Sequence, residues 1–289
     1  MHKEISNTEM TIEEPLELLF NETGIRPFLK WAGGKTQLLR HLHHYAPKTF
    51  NKYIEPFIGG GAMYFSLNAE QSIIADSNEE LIIAYQQVQS NVEEVINHLR
   101  TFHNNEEYYY EIRQMDPSQL TPDFRAARLI YLNKTCFNGL YRVNKKGHFN
   151  VPFGKKTTKF LHEEVLRNAN GFLQNAVIQH GDYLNILREN ANPGDFIFLD
   201  PPYYPISKYS DFKRYTKEFF HLEDQINLKK EFDRLVNMGC HVLLTNSDHQ
   251  IILDLYANYE IKTINTKRMI SSNAKTRTGK DIIVIGSND

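Results

Sequence analysis

Short β-rich apolar runs separated by segments of helical periodicity recur along this chain, and that alternation constrains its fold more than any other feature. Lys52–Phe57, Ser72–Ala75, Phe196–Leu199, His241–Thr245, Ile261–Ile264 and Asp281–Ile285 have strand character, and Val177–Gln179 is a further strand-like run. Leu16–Phe20, Thr36–Tyr45, Glu79–Arg100, Phe124–Leu132 and Leu222–Met238 read as helices. Strands alternating with helices predict an α/β fold with a doubly wound, mainly parallel sheet. The alternation fails between about Val88 and Asn175, where a mostly helical stretch carrying one hairpin-like segment takes over. The expected organisation is an α/β domain built from residues 25–87 and 176–289, an insert at 88–175, and an N-terminal extension at 1–24.

Several classes are excluded. No apolar run approaches the ~20 residues of a membrane span. The N-terminal segment places acids inside its only apolar stretch and has no small-residue cleavage site, unlike a signal peptide. Cys136 and Cys240 are the only cysteines, too few for a disulfide framework or a Cys-rich zinc site, so the expected compartment is the cell interior. The net charge of −2 would argue against a polyanionic partner, but its distribution argues for one. Residues 124–162 contain no acid and nine cations: Arg125, Arg128, Lys134, Arg142, Lys145, Lys146, Lys155, Lys156 and Lys159. A second acid-free stretch, Asn265 to Lys280, carries Lys267, Arg268, Lys275, Arg277 and Lys280. Such blocks are the electrostatic footprint of nucleic-acid binding, or else a solvated basic face. Within the first, Tyr141–Val143 and His148–Val151 flank Asn144-Lys145-Lys146-Gly147 and predict a hairpin whose doubly cationic turn suits a DNA groove.

Three motifs carry chemistry. Glu55-Pro56-Phe57-Ile58-Gly59-Gly60-Gly61 follows a strand and precedes a helix-like stretch, a place where glycines let the backbone approach a ligand. Asp76 ends the next strand, where an acid in a doubly wound sheet grips ribose hydroxyls. The glycine spacing departs from a dinucleotide fingerprint, which leaves a nucleoside-containing cofactor as the reading. Ala32-Gly33-Gly34-Lys35-Thr36 invites a phosphate-loop interpretation, but Leu29 stands where that motif needs its first glycine. Lys35 is then a single available cation and Trp31 an aromatic wall for an adenine ring or a sulfonium. The sharpest signal is Phe196-Ile197-Phe198-Leu199-Asp200-Pro201-Pro202-Tyr203. Here a strand stops at a carboxylate and two prolines fix the backbone that follows. Asp200 and the Pro201 carbonyl can accept both hydrogens of an exocyclic amine, and Tyr203 can stack on the base that carries it. Gly181-Asp182-Tyr183 repeats the logic of an acid and a ring after a strand.

These motifs, in this order from about Pro27 to Ile285, resemble the S-adenosylmethionine-dependent DNA adenine-N6 methyltransferases of the Dam type, in particular the methylases of DpnII-like GATC systems. The segments that carry the resemblance are Phe28–Lys35, Tyr53–Ala62, Ala75–Asn78, Phe137–Gly154, Gly181–Tyr183, Phe198–Tyr203 and Thr245–Asp248. Three consecutive glycines stand where some relatives have Gly-Ala-Gly. The resemblance implies a Rossmann-like methyltransferase domain and a methyl-donor site at Trp31, Lys35, Asp76 and Asp200. It places Glu55, Pro56, Phe57, Gly59, Asp182 and Tyr183 around the same ligand, and makes Asp200, Pro201, Pro202 and Tyr203 the catalytic loop. The insert becomes the target-recognition domain. There Asn138, Leu140, Arg142 and Pro152 approach the bases, and Asn144, Lys145 and Lys146 form the turn. Arg142 is expected to read guanine, because a guanidinium reaches O6 and N7 together. The implied partner is double-stranded DNA, with no membrane and no metal, in the cytoplasm of a prokaryote or encoded by a phage. The implied setting is restriction–modification or replication-linked methylation. His41, His43 and His44 are expected to form a polar helix face. Alternatives are methylation of cytosine N4 (where relatives usually carry Ser at the place of Asp200), methylation of RNA adenine, or a non-catalytic DNA-binding regulator.

Overall fold

The structure is a computed structural model and describes residues 25–67, 69–144, 147–154, 159–205, 220–267 and 278–287. The extension at 1–24 with its Leu16–Phe20 helix, Lys145, Lys146, Lys155, Lys156, Arg268, Lys275 and Arg277 lie outside the described residues.

Seven strands form one mixed sheet: β1 (Tyr53–Glu55), β2 (Ser72–Asp76), β3 (Ala176–His180), β4 (Phe196–Leu199), β5 (His241–Ser247), β6 (Glu260–Lys267) and β7 (Thr278–Gly286). Their order is β3-β2-β1-β4-β5-β7-β6. The first five are parallel, in registers such as Ile54 opposite Ile73 and Ile197, and Leu199 opposite Leu244. β7 runs antiparallel between β5 and β6. β1 and β4 are buried along their whole lengths. That burial explains their unbroken apolar character, since helices cover both faces of a parallel sheet.

Side chains alternate across the sheet. Tyr53, Ile74, Phe196 and Phe198 join the core on one face, together with α1 (Leu39–Tyr45) and α2 (Ala62–Ser66). Ile54, Ile73, Ile197, Leu199, Val242 and Leu244 join the core on the other, under α8 (Tyr183–Asn190), α9 (Leu222–Asn237) and α10 (Gln250–Leu255). The order reverses between β1 and β4, which opens a crevice at their carboxyl ends.

The middle of the chain is helical: α3 (Glu79–Ser90), α4 (Val92–Thr101), α5 (Glu106–Gln114), α6 (Pro122–Thr135) and α7 (Glu163–Leu173). The single helix expected over Glu79–Arg100 is two, because Asn91 leaves helical geometry (φ −138°, ψ 39°) and turns its side chain back onto Gln87 Oε1 at 2.9 Å. Asn and Ser side chains that bond locally compete with the helical ladder. α6 is the pivot of this layer. Ala126, Ala127 and Leu129–Leu132 are buried, and buried Arg128 donates to the carbonyls of Ile112 (2.9 Å) and Arg113 (2.8 Å) at the end of α5.

The hairpin at 141–151 is slighter than expected. Among the described residues its ladder is reduced to isolated bridges, Val143 with Phe149 and Cys136 with Phe153. Asn144 N–H to His148 O (2.8 Å) and Asn150 N–H to Arg142 O (2.9 Å) close it.

Candidate active site

The motifs dispersed from Phe28 to Asp248 meet because most of them end a parallel strand or begin the loop after it, and the segment carrying Trp31 and Lys35, ahead of β1, packs against those ends. Asp200 directly follows β4, and its carboxylate is held from two sides. Lys35 Nζ lies 2.7 Å from Oδ2, and Thr245 Oγ1, on β5, donates to Oδ1 at 2.7 Å. Lys35 also donates to the Gly33 carbonyl and sits 4.8 Å from the Tyr203 ring centroid. It is therefore a buried partner of Asp200 and Tyr203 rather than a cation standing ready for a ligand. Burial raises the proton affinity of Asp200, while the Lys35 charge and the hydrogen bonds from Lys35 and Thr245 oppose that rise.

A second cluster forms at the ends of β1 and β2. Asp76 Oδ2 accepts from Gly59 N–H (3.1 Å) and Oδ1 from Asn78 N–H (3.0 Å). Burial pushes the Asp76 carboxyl up to about 6 against the pull of these bonds. Gly59 has φ +47°, and a Cβ there would stand 2.8 Å from Trp31 Cδ1. Trp31 stacks on Tyr141 at 4.9 Å with 22° between the rings, so one face of this aromatic wall is already covered from the middle segment. Glu55 is turned into the core, where it accepts from Tyr53 O–H at 2.7 Å and burial drives its carboxyl far above the ordinary range. Pro56 is buried beside it. Phe57 packs on Tyr183 at 5.0 Å and on Phe220 at 6.2 Å, making an apolar wall. Asp182 is exposed and caps α8 by accepting from Leu184 N–H at 2.9 Å, while Gly181 N–H reaches the Asp76 carbonyl at 3.2 Å.

In the middle segment, Asn138 is exposed with φ +58°, the only non-glycine in the left-handed region among the described residues. Leu140 is half-buried and Pro152 exposed, its carbonyl accepting from Phe137 N–H at 2.9 Å. Arg142 is exposed and rests on Asn150, with Nε 2.7 Å from Oδ1 and Nη2 3.3 Å from the carbonyl. Asn144 Oδ1 accepts from His148 N–H at 3.1 Å. The basic block is also less available than its composition suggests. Arg125 pairs with Glu80, Arg128 is buried on carbonyls, and burial beside Lys30 pulls Lys134 down to about 8. On α1, His43 Nε2 bonds Ser66 Oγ at 2.9 Å. No group of three or more His, Cys, Asp or Glu placed to hold a metal occurs among the described residues. Nor is any described helix long and apolar enough to cross a membrane.

Thr245 and Tyr141, which lie in motif segments but carry no role of their own in the sequence, and Asn133, which no motif contains, adjoin these residues. Asn133 is fully buried on α6; its Oδ1 accepts from Lys30 N–H (2.9 Å) and its Nδ2 donates to the Lys30 carbonyl (2.7 Å). It thereby fastens the residue preceding Trp31. A polar side chain within the apolar run of α6 was the available signal.

A sequence profile of the D12 class N6 adenine-specific DNA methyltransferases matches residues 31–270. The chain belongs to this family. A type II methyltransferase of Lactococcus lactis subsp. cremoris is 39% identical over 279 residues, covering 93% of this chain and 97% of that protein. A type II methyltransferase of Methanocaldococcus jannaschii is 39% identical over 276 residues, 88% of this chain and 95% of that one. The DNA adenine methylase of Escherichia coli K12 is 33% identical over 260 residues, 89% of this chain and 93% of the methylase. The protein is thus an adenine-specific DNA methyltransferase, and the Dam-type resemblance read from its motifs is borne out.

Proposed function

We propose that this D12-class enzyme takes its methyl group from S-adenosylmethionine and places it on N6 of adenine in double-stranded DNA, within GATC, with the target base turned out of the duplex. The observation that carries the reading is the Asp200 carboxylate, fixed at the mouth of the crevice by Lys35 and Thr245 beside the Tyr203 ring.

The residues at the ends of β1 and β2 fit such a donor. A Cβ at Gly59 would stand 2.8 Å from Trp31 Cδ1 and one at Gly60 a tight 3.2 Å from Trp31 Cβ, and Asp76 retains acceptor capacity suited to ribose hydroxyls. When bound, the donor would supply an electrophilic methyl group whose S–CH3 bond breaks as the N6–CH3 bond forms, leaving a neutral thioether, and one N6 proton is then released past the Asp200 carboxylate to solvent. Asp200 and the Pro201 carbonyl accept the two N6 hydrogens, which draws the nitrogen lone pair out of conjugation with the ring. Tyr203 holds the base by stacking. Because Lys35 and Thr245 already orient the carboxylate, little reorganisation remains when charge develops on the amine. Orientation of this kind can supply on the order of 7–11 kcal/mol of a barrier. Arg142, exposed and steadied by Asn150, reads guanine in this proposal, because a guanidinium reaches O6 and N7 together.

Incubation of the protein with unmethylated duplex DNA and radiolabelled S-adenosylmethionine, followed by nucleoside analysis and mapping of the label, tests the whole reading. Label in N6-methyladenine at GATC is expected. Label at another adenine site overturns the assigned sequence, label in cytosine N4 overturns the base, and transfer to RNA alone overturns the duplex.

A further inference from the structure

The loop that carries Asp200 and Tyr203 is gripped from behind by side chains to which nothing above gives a part in methyl transfer. Asn246, fully buried at the end of β5, accepts through Oδ1 from Tyr204 N–H at 3.1 Å and from Ser247 N–H at 2.8 Å. Its Nδ2 donates to Gln225 Oε1 at 3.0 Å. Gln225, fully buried in the first turn of α9, donates through Nε2 to the Pro202 carbonyl at 3.1 Å. Ser247 Oγ donates to the Tyr204 carbonyl at 2.7 Å. Prolines 201 and 202 have no N–H, which leaves this loop few backbone handles; among them are the Tyr204 N–H and the carbonyls of residues 202 and 204. All three are taken.

We propose that Gln225 and Asn246 are a positioning pair for methyl transfer, seconded by the Ser247 hydroxyl on the Tyr204 carbonyl, fixing the peptide planes that follow Pro201 so that the Pro201 carbonyl and the Tyr203 ring face the reacting base. The proposal rests on the reading of Asp200 and Pro201 given above. Two buried amides joined head to tail form a chain in which each member orients the next, and a gap at either end leaves a buried carbonyl or N–H without its partner. α9 and β5 pack on the same face of the sheet, so the pair ties the loop to two rigid elements instead of to its own flexible neighbours. The Asp200 carboxylate is held by Lys35 and Thr245, and the hydrogen bonds of Gln225 and Asn246 go elsewhere. Their effect is therefore on the geometry of the transfer step, separate from the charge of the carboxylate.

The test is single-turnover methylation by Q225M with donor and DNA both saturating, with dissociation constants for S-adenosylmethionine and for duplex DNA measured on the same preparation. Loss of both Gln225 bonds is expected to slow transfer about tenfold to a hundredfold, with both constants within about twofold of wild type, while the unfolding midpoint falls because two buried polar groups lose their partners. A saturating rate equal to wild type overturns the proposal, as does a slow rate that follows entirely from weakened binding. S247A removes a single hydroxyl and carries the same test should Q225M not fold. A slowing of about threefold to tenfold is expected for it, and an unchanged rate overturns the proposal. D200N is run alongside. If it is inactive while Q225M transfers normally, the positioning role alone falls; if both transfer normally, the reading of the catalytic loop falls with it.

Discussion

Replacing Asp200 by Asn separates the part this residue plays in the fold from the part it plays in chemistry. Asn can keep an oxygen toward Lys35 and an amide toward Thr245 Oγ1, so the substitution removes charge more than it removes hydrogen bonds. At 2.7 Å the attraction between Lys35 and Asp200 is about 6 kcal/mol for an effective dielectric near 20, most of it offset by the desolvation of two buried ions. What remains in D200N is a buried ammonium without its anion. Breaking a buried pair from one side costs about 3–5 kcal/mol. Neutralising a lysine at pH 7 costs about 4–5 kcal/mol, which sets a ceiling. With the hydrogen bonds retained, about 3 kcal/mol is expected for D200N, and a similar loss for K35M, which leaves the carboxylate unpaired. The double variant D200N/K35M has no buried charge to strand and should lose about 2 kcal/mol, well short of the sum of the two. Urea unfolding at pH 7 of the four proteins measures this coupling. Methylation at saturating donor and DNA is read in parallel and should be abolished in D200N and in the double variant alike. Losses that add to within about 0.5 kcal/mol would refute the energetic argument. Recovery of methylation along with stability would refute Asp200 as the acceptor of the N6 hydrogens.

Gly59→Ala places a methyl group 2.8 Å from Trp31 Cδ1 at φ +47°. A loss of about 1–3 kcal/mol in stability and at least tenfold weaker donor binding are expected by calorimetry, and unchanged binding would remove Gly59 from the donor site. Burial raises Asp76 to about 6, so its carboxylate is half ionised near that pH, almost wholly ionised by pH 7.5 and mostly protonated a unit below. Affinity that depends on the ionised form should be complete at pH 7.5 and fall about tenfold per unit below pH 6, whereas Asp76→Asn should bind weakly at every pH; a wild-type affinity flat from pH 7.5 to 5 contradicts this. Arg142→Lys loses the two-pronged edge that now rests on Asn150. If Arg142 reads a guanine as proposed, discrimination at that base should fall by about 1–3 kcal/mol with donor binding unchanged, and methylation of single-base variant duplexes measures the difference.

The sheet was legible because strands buried on both faces must be apolar throughout. Phe196–Leu199 and His241–Thr245 sit where their composition put them, and the chemistry-bearing residues follow at their carboxyl ends. Less legible was anything decided by a partner distant in sequence. Lys35 looked like a free cation because its counter-ion lies 165 positions away, and Arg125 looked like part of a basic face because Glu80 sits on another helix. The break at Asn91 turns on a side chain competing with the backbone, a contest that periodicity does not register. The hairpin was overestimated for a related reason. A polar turn with glycine specifies a reversal, but a ladder also needs free backbone groups along both strands, and here Tyr109 O–H and Arg113 Nη1 take the Val151 carbonyl at 2.8 and 3.1 Å while isolated bridges are all that remains of the pairing among the described residues.

That helical layer is bound to the donor end of the site through contacts that differ in kind. Asn133 closes both backbone groups of Lys30, which fixes the chain immediately before Trp31, and its Nδ2 also reaches the Gly139 carbonyl at 3.3 Å. Gly139 itself has φ +64° and is packed so closely that a Cβ would stand 2.7 Å from Lys30 Cδ. Tyr141 then lies flat on Trp31. One buried amide thus holds two chain segments at a fixed separation, and the stacked rings extend that contact to the aromatic wall above Gly59. An Asn133→Leu substitution would keep the volume while leaving the Lys30 and Gly139 groups without their partners, at a cost of about 1–3 kcal/mol for each one cut off from water. It should therefore disturb the geometry around Trp31 and around Asn138 together. Trp31 is the only tryptophan in the chain, so its fluorescence reports on the first directly. Methylation of single-base variant duplexes reports on the second. A change in one without the other would show that the two segments move independently despite their shared fastening.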